Sequence, residues 1–359
     1  MWILAFTLSL MLASVLSPVV AKFYEKRGWL DDARAKPHPK KTHDRTVPRG
    51  GGLVIAGATI LPLIFLLPLD VKLFGVILAV IAVAILGTFD DILDLNPMFR
   101  LPILFLIALI PVSFGVHISY VSNPFGDGVL RLDQWQWIFQ VGEQVISVPW
   151  VAMGLAVIWI VWNMTVVNWS KGLDGQMPGF VMISAIVIGI LSLRFQDDPS
   201  QLSVTLLSVI VAGAFGGFLL WNWYPQRLMA GYGAGSLGGF FLAVLSMLSG
   251  AKVATALLVL AIPTVDAVAV ISRRILSGKS PFMGDRGHLH HRLFDVGWGR
   301  RRVAVFYWLT TLLLGILALQ LKSDQKVYTT VSVFLLVAGA IIWLTLFFFF
   351  SKRQGHVNG

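Results

Sequence analysis

No cysteine occurs among the 359 residues. That excludes disulfides, thiolate nucleophiles and thiolate-bound metal centres. Charge is scarce too: Asp, Glu, Lys and Arg together make up 13% of the chain, where a soluble domain carries about 25%. What charge there is leans basic, with 28 Lys and Arg against 18 Asp and Glu and a formal net charge of +10. A basic balance can signal nucleic acid, but here the basic residues sit in short segments between apolar runs. That is the pattern of membrane topology and of sites for anionic substrates or lipid headgroups, so no nucleic-acid partner is expected.

What is abundant is apolar surface. Hydrophobic residues make up 57%, and the mean hydropathy is +0.79. Apolar runs of membrane length recur from end to end, which predicts an all-α, polytopic integral membrane protein. The reading is a single transmembrane domain over 1–350 with a short cytoplasmic tail over 351–359.

The first run, 1–21, ends in Val19-Val20-Ala21, which resembles a signal-peptidase site. It lacks a basic leader, however, and Lys22, Lys26 and Arg27 follow it. It therefore reads as a helix whose N-terminus lies outside. Further spans are expected at about 51–69, 73–89, 101–118, 149–168, 177–194, 202–221, 234–250, 253–271, 303–321 and 328–350, eleven in all. This arrangement puts 22 of the 28 Lys and Arg inside, in accord with the positive-inside rule, and the C-terminus inside as well. The longest outside segment, 119–149, carries Trp135 and Trp137 and abuts Trp150, which reads as an anchor at the headgroup level.

Five unusual segments then share the inner face. Asp90, Asp91 and Asp94 end an apolar run that begins at Val71. Carboxylates at the end of a membrane-length helix are costly and point to function, and such a group can coordinate Mg²⁺. Lys36 to Gly52 combines lysines, arginines and histidines with three glycines at a helix start, a setting for phosphate. Asn168, Lys171 and Asp174 fall in a glycine-punctuated turn between two spans. Gly231 to Gly239 is dense in small residues, which predicts close helix packing. Ser280 to Arg292 holds Asp285, Arg286, His288, His290, His291 and Arg292. Its histidine spacing is not that of a zinc helix, so anion binding is the expectation.

In order along the chain, His43 with Pro48-Arg49-Gly50-Gly51-Gly52, Asp90-Asp91, Asn168 with Gly172-Leu173-Asp174-Gly175, Asp266, and His288-Leu289-His290-His291 resemble the polyprenyl-phosphate N-acetylhexosamine-1-phosphate transferases. This is the MraY/WecA type, glycosyltransferase family 4, and the histidine segment is closer to the WecA-like branch. The resemblance covers about residues 1–321. It implies transfer of a sugar-1-phosphate from a UDP-sugar to undecaprenyl phosphate in the bacterial cytoplasmic membrane, with an N-acetylglucosamine-type donor favoured and a GlcNAc derivative or MurNAc-pentapeptide still open. UMP would be released and a lipid-linked cell-envelope glycan begun, with Mg²⁺ as cofactor and a homodimer as the assembly. Asp90 or Asp91 would orient or deprotonate the lipid phosphate or, with Asp174, hold the metal. Asn168 and Asp174 would contact the nucleotide. Asp285, Arg286, His288, His290, His291 and Arg292 would hold diphosphate and sugar, while Lys41, His43 and Arg49 would receive the lipid phosphate.

Two departures bear on the chemistry. The family's turn usually reads Asp-Gly-Leu-Asp-Gly, and here Lys171 replaces the first Asp. A later family segment carries a metal-binding Asp where alignment on Gly235-Ser236-Leu237 puts Gly233. One reading makes Lys171 a fixed cation taking over part of the metal's work, and thus a catalytic residue. Another makes the chain a degenerate binder or regulator of lipid-linked sugar synthesis. Asp90-Asp91-x-x-Asp94 also resembles a prenyl-diphosphate motif, but a membrane prenyltransferase would need a second such segment. A transporter fits less well, since the polar groups gather at one face.

Overall fold

The computed structural model describes residues 1–32, 45–123, 128–195, 197–249, 253–281 and 286–355. Lys41, His43 and Asp285 lie outside the described residues.

Thirteen helices run through these segments: α1 (Trp2–Arg27), α2 (Gly51–Leu66), α3 (Val71–Leu93), α4 (Pro97–Ser113), α5 (Trp150–Trp169), α6 (Gln176–Ser192), α7 (Ser200–Asn222), α8 (Gly231–Leu248), α9 (Val253–Val259), α10 (Ala261–Leu276), α11 (Leu289–Asp295), α12 (Arg300–Gln320) and α13 (Ser323–Gly355). Among the described residues, eight helices are long and apolar enough to cross a bilayer, and α9 with α10 makes a ninth if the bent pair is one span. The expected count of eleven is therefore reached only by including α2 and α4. Both lie where spans were expected, but with 16 and 17 residues they rise only about 25 Å, short of a hydrocarbon core of about 30 Å.

The span expected at 253–271 is two helices, bent by 77° at Leu260. Pro263 explains the break. It has no N–H, and its ring clashes with the carbonyl four residues back, at Val259, where α9 ends. The segment between 119 and 149 also differs from a plain anchor. It pairs β3 (Tyr120–Ser122) with β4 (Val129–Arg131) and β5 (Trp137–Val141) with β6 (Gln144–Val148), both antiparallel. Trp137 stacks on Trp150 at 5.8 Å. A third small pairing, β1 (Leu30–Asp31) with β2 (Val47–Pro48), ties the end of α1 to the start of α2.

Helix α8 is the central post, buried along nearly its whole length, and it packs on α2, α3, α5 and α6. Its glycines admit these neighbours one by one. A Cβ at Gly233 would lie 3.0 Å from Gly52 Cα and 3.4 Å from Gly87 Cα. One at Gly235 would meet Asn168, and one at Gly239 the Asn163 carbonyl. Close helix packing, expected from the small residues, is what this segment does.

Candidate active site

The carboxylates at the end of α3 are positioned by the turn that follows. Asp94 takes a left-handed conformation (φ 47°) that stops the helix. The Asn96 side chain then accepts from the Met98 N–H at 2.9 Å, and Pro97 opens α4. The reversal brings Arg100 back over Asp90, with Nη1 2.7 Å from Oδ1. Asp90 and Asp91 are both buried. Arg49 reaches Asp94 at 2.6 Å and Asp31 at 2.9 Å, so Asp94 anchors the basic segment rather than extending the Asp90–Asp91 pair.

Asp91 is held from the other side. Its Oδ1 accepts the Tyr232 N–H at 2.8 Å, in the first turn of α8, where free N–H groups favour a negative charge. Gly231 precedes it at φ +63°, and a Cβ there would sit 2.3 Å from both Asp91 Oδ2 and the Arg49 carbonyl oxygen. Only glycine fits.

Lys171 enters this cluster from the 168–175 turn. Its Nζ donates to the Gly231 carbonyl and lies 5.7 Å from the Tyr232 ring centroid, with the Arg100 guanidinium at 4.7 Å. Burial pulls the ammonium below its ordinary range, while Asp91 and Asp90 pull the other way. Arg100 and Tyr232 are members of the site that sequence reasoning missed. Arg100 had a signal, a lone cation inside an apolar run; Tyr232 had none.

The rest of the turn looks elsewhere. Asn168 is buried against Gly235 of α8. Asp174 Oδ2 accepts the Gln226 N–H at 3.2 Å, and the Gly175 N–H donates to Asn222 Oδ1 at 3.0 Å. Asp174 therefore braces the 222–228 loop. It does not join Asp90 and Asp91 in a three-carboxylate set, and among the described residues no group of three or more His, Asp or Glu assembles as a metal site.

The histidine segment lies on the far side of the same turn. A Cβ at Gly172 would be 2.0 Å from His290 Nε2, so the missing side chain is what admits that ring. His290 stacks parallel to His288 at 5.6 Å and tilts against His291 at 4.3 Å. Burial holds His290 well below the usual imidazole range. It takes His291 down to about 4, with Arg286 and His288 adding repulsion. At neutral pH these two are uncharged, so they can meet an anion through hydrogen bonds but not through charge. Arg286 pairs with Asp295. Arg292 donates to the carbonyls of Gly287 and Ile341 and to Thr345, pinning α11 to α13.

Gly233, aligned with a metal-binding aspartate, is not a site position here. Its Cβ direction faces the backbones of Gly52 and Gly87. A carboxylate there would enter a helix contact, not the Asp90–Asp91 cluster.

Residues 73–250 match glycosyl transferase family 4. Over that segment, just under half of the chain, the sequence is similar to this family. It is 27% identical over 355 residues to a Bacillus subtilis protein named "Probable undecaprenyl-phosphate N-acetylglucosaminyl 1-phosphate transferase", covering 97% of this chain and 88% of that one. It is also 27% identical over 334 residues to the phospho-N-acetylmuramoyl-pentapeptide-transferase of Acetivibrio thermocellus, with coverage of 89% and 95%. A Mycobacterium leprae decaprenyl-phosphate N-acetylglucosaminephosphotransferase is 29% identical over 310 residues, 77% of this chain and 74% of its own. Relatives named for different sugars thus lie at similar distance from this chain.

Proposed function

We propose that the protein transfers a sugar-1-phosphate, of the N-acetylglucosamine type, from a UDP-sugar to undecaprenyl phosphate at the inner face of the bacterial cytoplasmic membrane. The observation that carries this reading is the bridging position of the 168–175 turn. Lys171 reaches the Asp90–Asp91 cluster from one side of the turn, and Gly172 admits His290 on the other. An acceptor phosphate and a sugar diphosphate held across one turn are placed for in-line transfer.

A lipid-phosphate oxygen attacks the sugar-bound phosphorus of the donor. The bond from that phosphorus to the bridging oxygen breaks, and UMP leaves with the bridging oxygen. Asp90 and Asp91, fixed by Arg100 and the Tyr232 N–H, orient the incoming phosphate. Lys171 and Arg100 offset the charge that grows on the departing phosphate, as preorganised donors do. Asn168 and Asp174 line the turn on the nucleotide side, and Arg49 supports the lipid phosphate from the β2–α2 junction.

Magnesium fits in a reduced form. The Asp90 and Asp91 bonds described above each use Oδ1, and Mg²⁺ commonly takes one or two carboxylates, with water and substrate phosphates filling the rest of its shell. Bound there, it would neutralise diphosphate charge. Lys171 shares that work, so a weakened metal dependence is part of the proposal.

The test is UMP release by the purified protein in detergent, given undecaprenyl phosphate and a panel of UDP-sugars, with Mg²⁺ or EDTA. Release that requires both substrates, greatest with UDP-N-acetylglucosamine, is expected. Binding of either substrate without release under any condition would sink the enzyme reading in favour of a binder.

A further inference from the structure

Asp266 stands alone as a carboxylate in α10, 1% exposed in the half-span that follows the 77° bend. Both its oxygens are engaged by α11 and the residue before it. Oδ2 lies 2.9 Å from His288 Nδ1, and Oδ1 accepts the Leu289 N–H at 2.8 Å. The transfer as derived above gives neither Asp266 nor its contact with His288 a role.

We infer that Asp266 is a positioning residue that locks His288 as the Nδ1–H tautomer, so that Nε2 meets the donor sugar as a hydrogen-bond acceptor. An ionised carboxylate can only accept, so the nitrogen facing it carries the proton. In the neutral ring that leaves the Nε2 lone pair on the opposite edge. The bond to the Leu289 N–H fixes the backbone on which the ring is carried, and the parallel stack on His290 fixes its plane. One buried carboxylate thus sets both tautomer and orientation, the service a carboxylate renders a histidine elsewhere. An acceptor atom selects groups that bear a proton. On a sugar nucleotide those are the hydroxyls and an acetamido N–H, whereas the diphosphate oxygens at neutral pH bear none. His288 accordingly reads the sugar rather than the diphosphate.

This inference rests on the transferase reading, and two measurements separate their failures. The first needs no turnover: ¹⁵N spectra of histidine-labelled protein in detergent, with His288 identified by its loss in His288→Gln. Protonated Nδ1 and unprotonated Nε2 are expected, along with loss of that pattern in Asp266→Asn. A protonated Nε2 in the unsubstituted protein overturns the inference whether or not the protein turns over.

The second is UMP release by Asp266→Asn, Asp266→Glu, His288→Gln and the Asp266→Asn/His288→Gln pair. Each of Asp266→Asn and His288→Gln is expected to lose roughly 10–100-fold in kcat/KM. The pair should lose no more than either alone, and Asp266→Glu should recover part. If Asp266→Asn costs as much with His288 replaced as with it present, the carboxylate only caps α11 and the inference falls. Absence of UMP release in the unsubstituted protein tells against the transferase reading, and the spectra still decide the tautomer.

Discussion

The Nζ of Lys171 donates to the carbonyl of Gly231, one residue before the N–H of Tyr232 that holds Asp91. A single peptide unit at the start of α8 therefore carries a cation on its oxygen and a carboxylate on its nitrogen. The ammonium is preorganised beside the two carboxylates, where its positive charge attracts phosphate.

From this, Lys171→Ala is expected to lower kcat by about 10²-fold or more, the usual effect of removing one preorganised donor. The loss should shrink as Mg²⁺ is raised, because free cation then replaces the missing one. Turnover measured against Mg²⁺ concentration checks it. Unchanged turnover and unchanged metal dependence would show that Lys171 has no share in the chemistry.

The Arg100–Asp90 pair is largely enclosed, whereas Arg131–Asp133 is open, its arginine side chain 69% exposed. Arg100→Gln should therefore lower stability by about 1–3 kcal/mol, since a buried acceptor loses a charged donor. Arg131→Gln should leave stability unchanged, because solvent screens an open pair. Thermal unfolding of both variants in one detergent distinguishes them.

Gly233→Asp restores the residue that alignment with the family suggests, yet a stronger metal site is not the expected result. The new Cβ would press on Gly52 and Gly87, and overpacking of this kind typically costs about 1–3 kcal/mol before the buried carboxylate is counted. The variant should melt lower, with no gain in Mg²⁺ response. A gain with unchanged melting temperature would contradict the packing described for α8.

His291 titrates at about 4 when folded, against an ordinary value near 6.5. Between those values the unfolded chain holds the proton and the folded one does not, so stability rises with pH in that window. It is fully present above about 6.5 and is lost as pH falls toward 4. His291→Gln should flatten this limb of a stability-against-pH curve. An unchanged limb would mean that the ring is already charged in the folded protein.

Much of this was legible in the residues. The bilayer-length helices, the buried Asp90–Asp91 pair and the close packing of α8 all follow from apolar periodicity, costly charges and small side chains. The break at Leu260 was legible too, in Pro263, but continuous hydropathy across 253–271 masked it. What the sequence could not supply was direction. Arg286, Arg292 and Asp174 read as ligand residues by composition, which does not name the protein partners they also engage: Asp295, the backbone and Thr345 of α13, and the Gln226 N–H. Tyr232 enters through its ring and its N–H, for which no residue pattern exists. The charge state of His290 and His291 depends on burial, which spacing does not report.

The contact of Gly233 with Gly52 and Gly87 leaves no side chain between α2, α3 and α8. The distance between the three backbones is set by van der Waals radii, with no rotamer available to give. That half of the site behaves as a fixed jaw. The opposite half hangs from a bent helix and is tied by Asp266 and Arg292, contacts that a changed side chain can lengthen or re-aim. On the transferase reading proposed above, a protein built this way can alter the sugar it grips while the place where phosphate meets phosphate stays put.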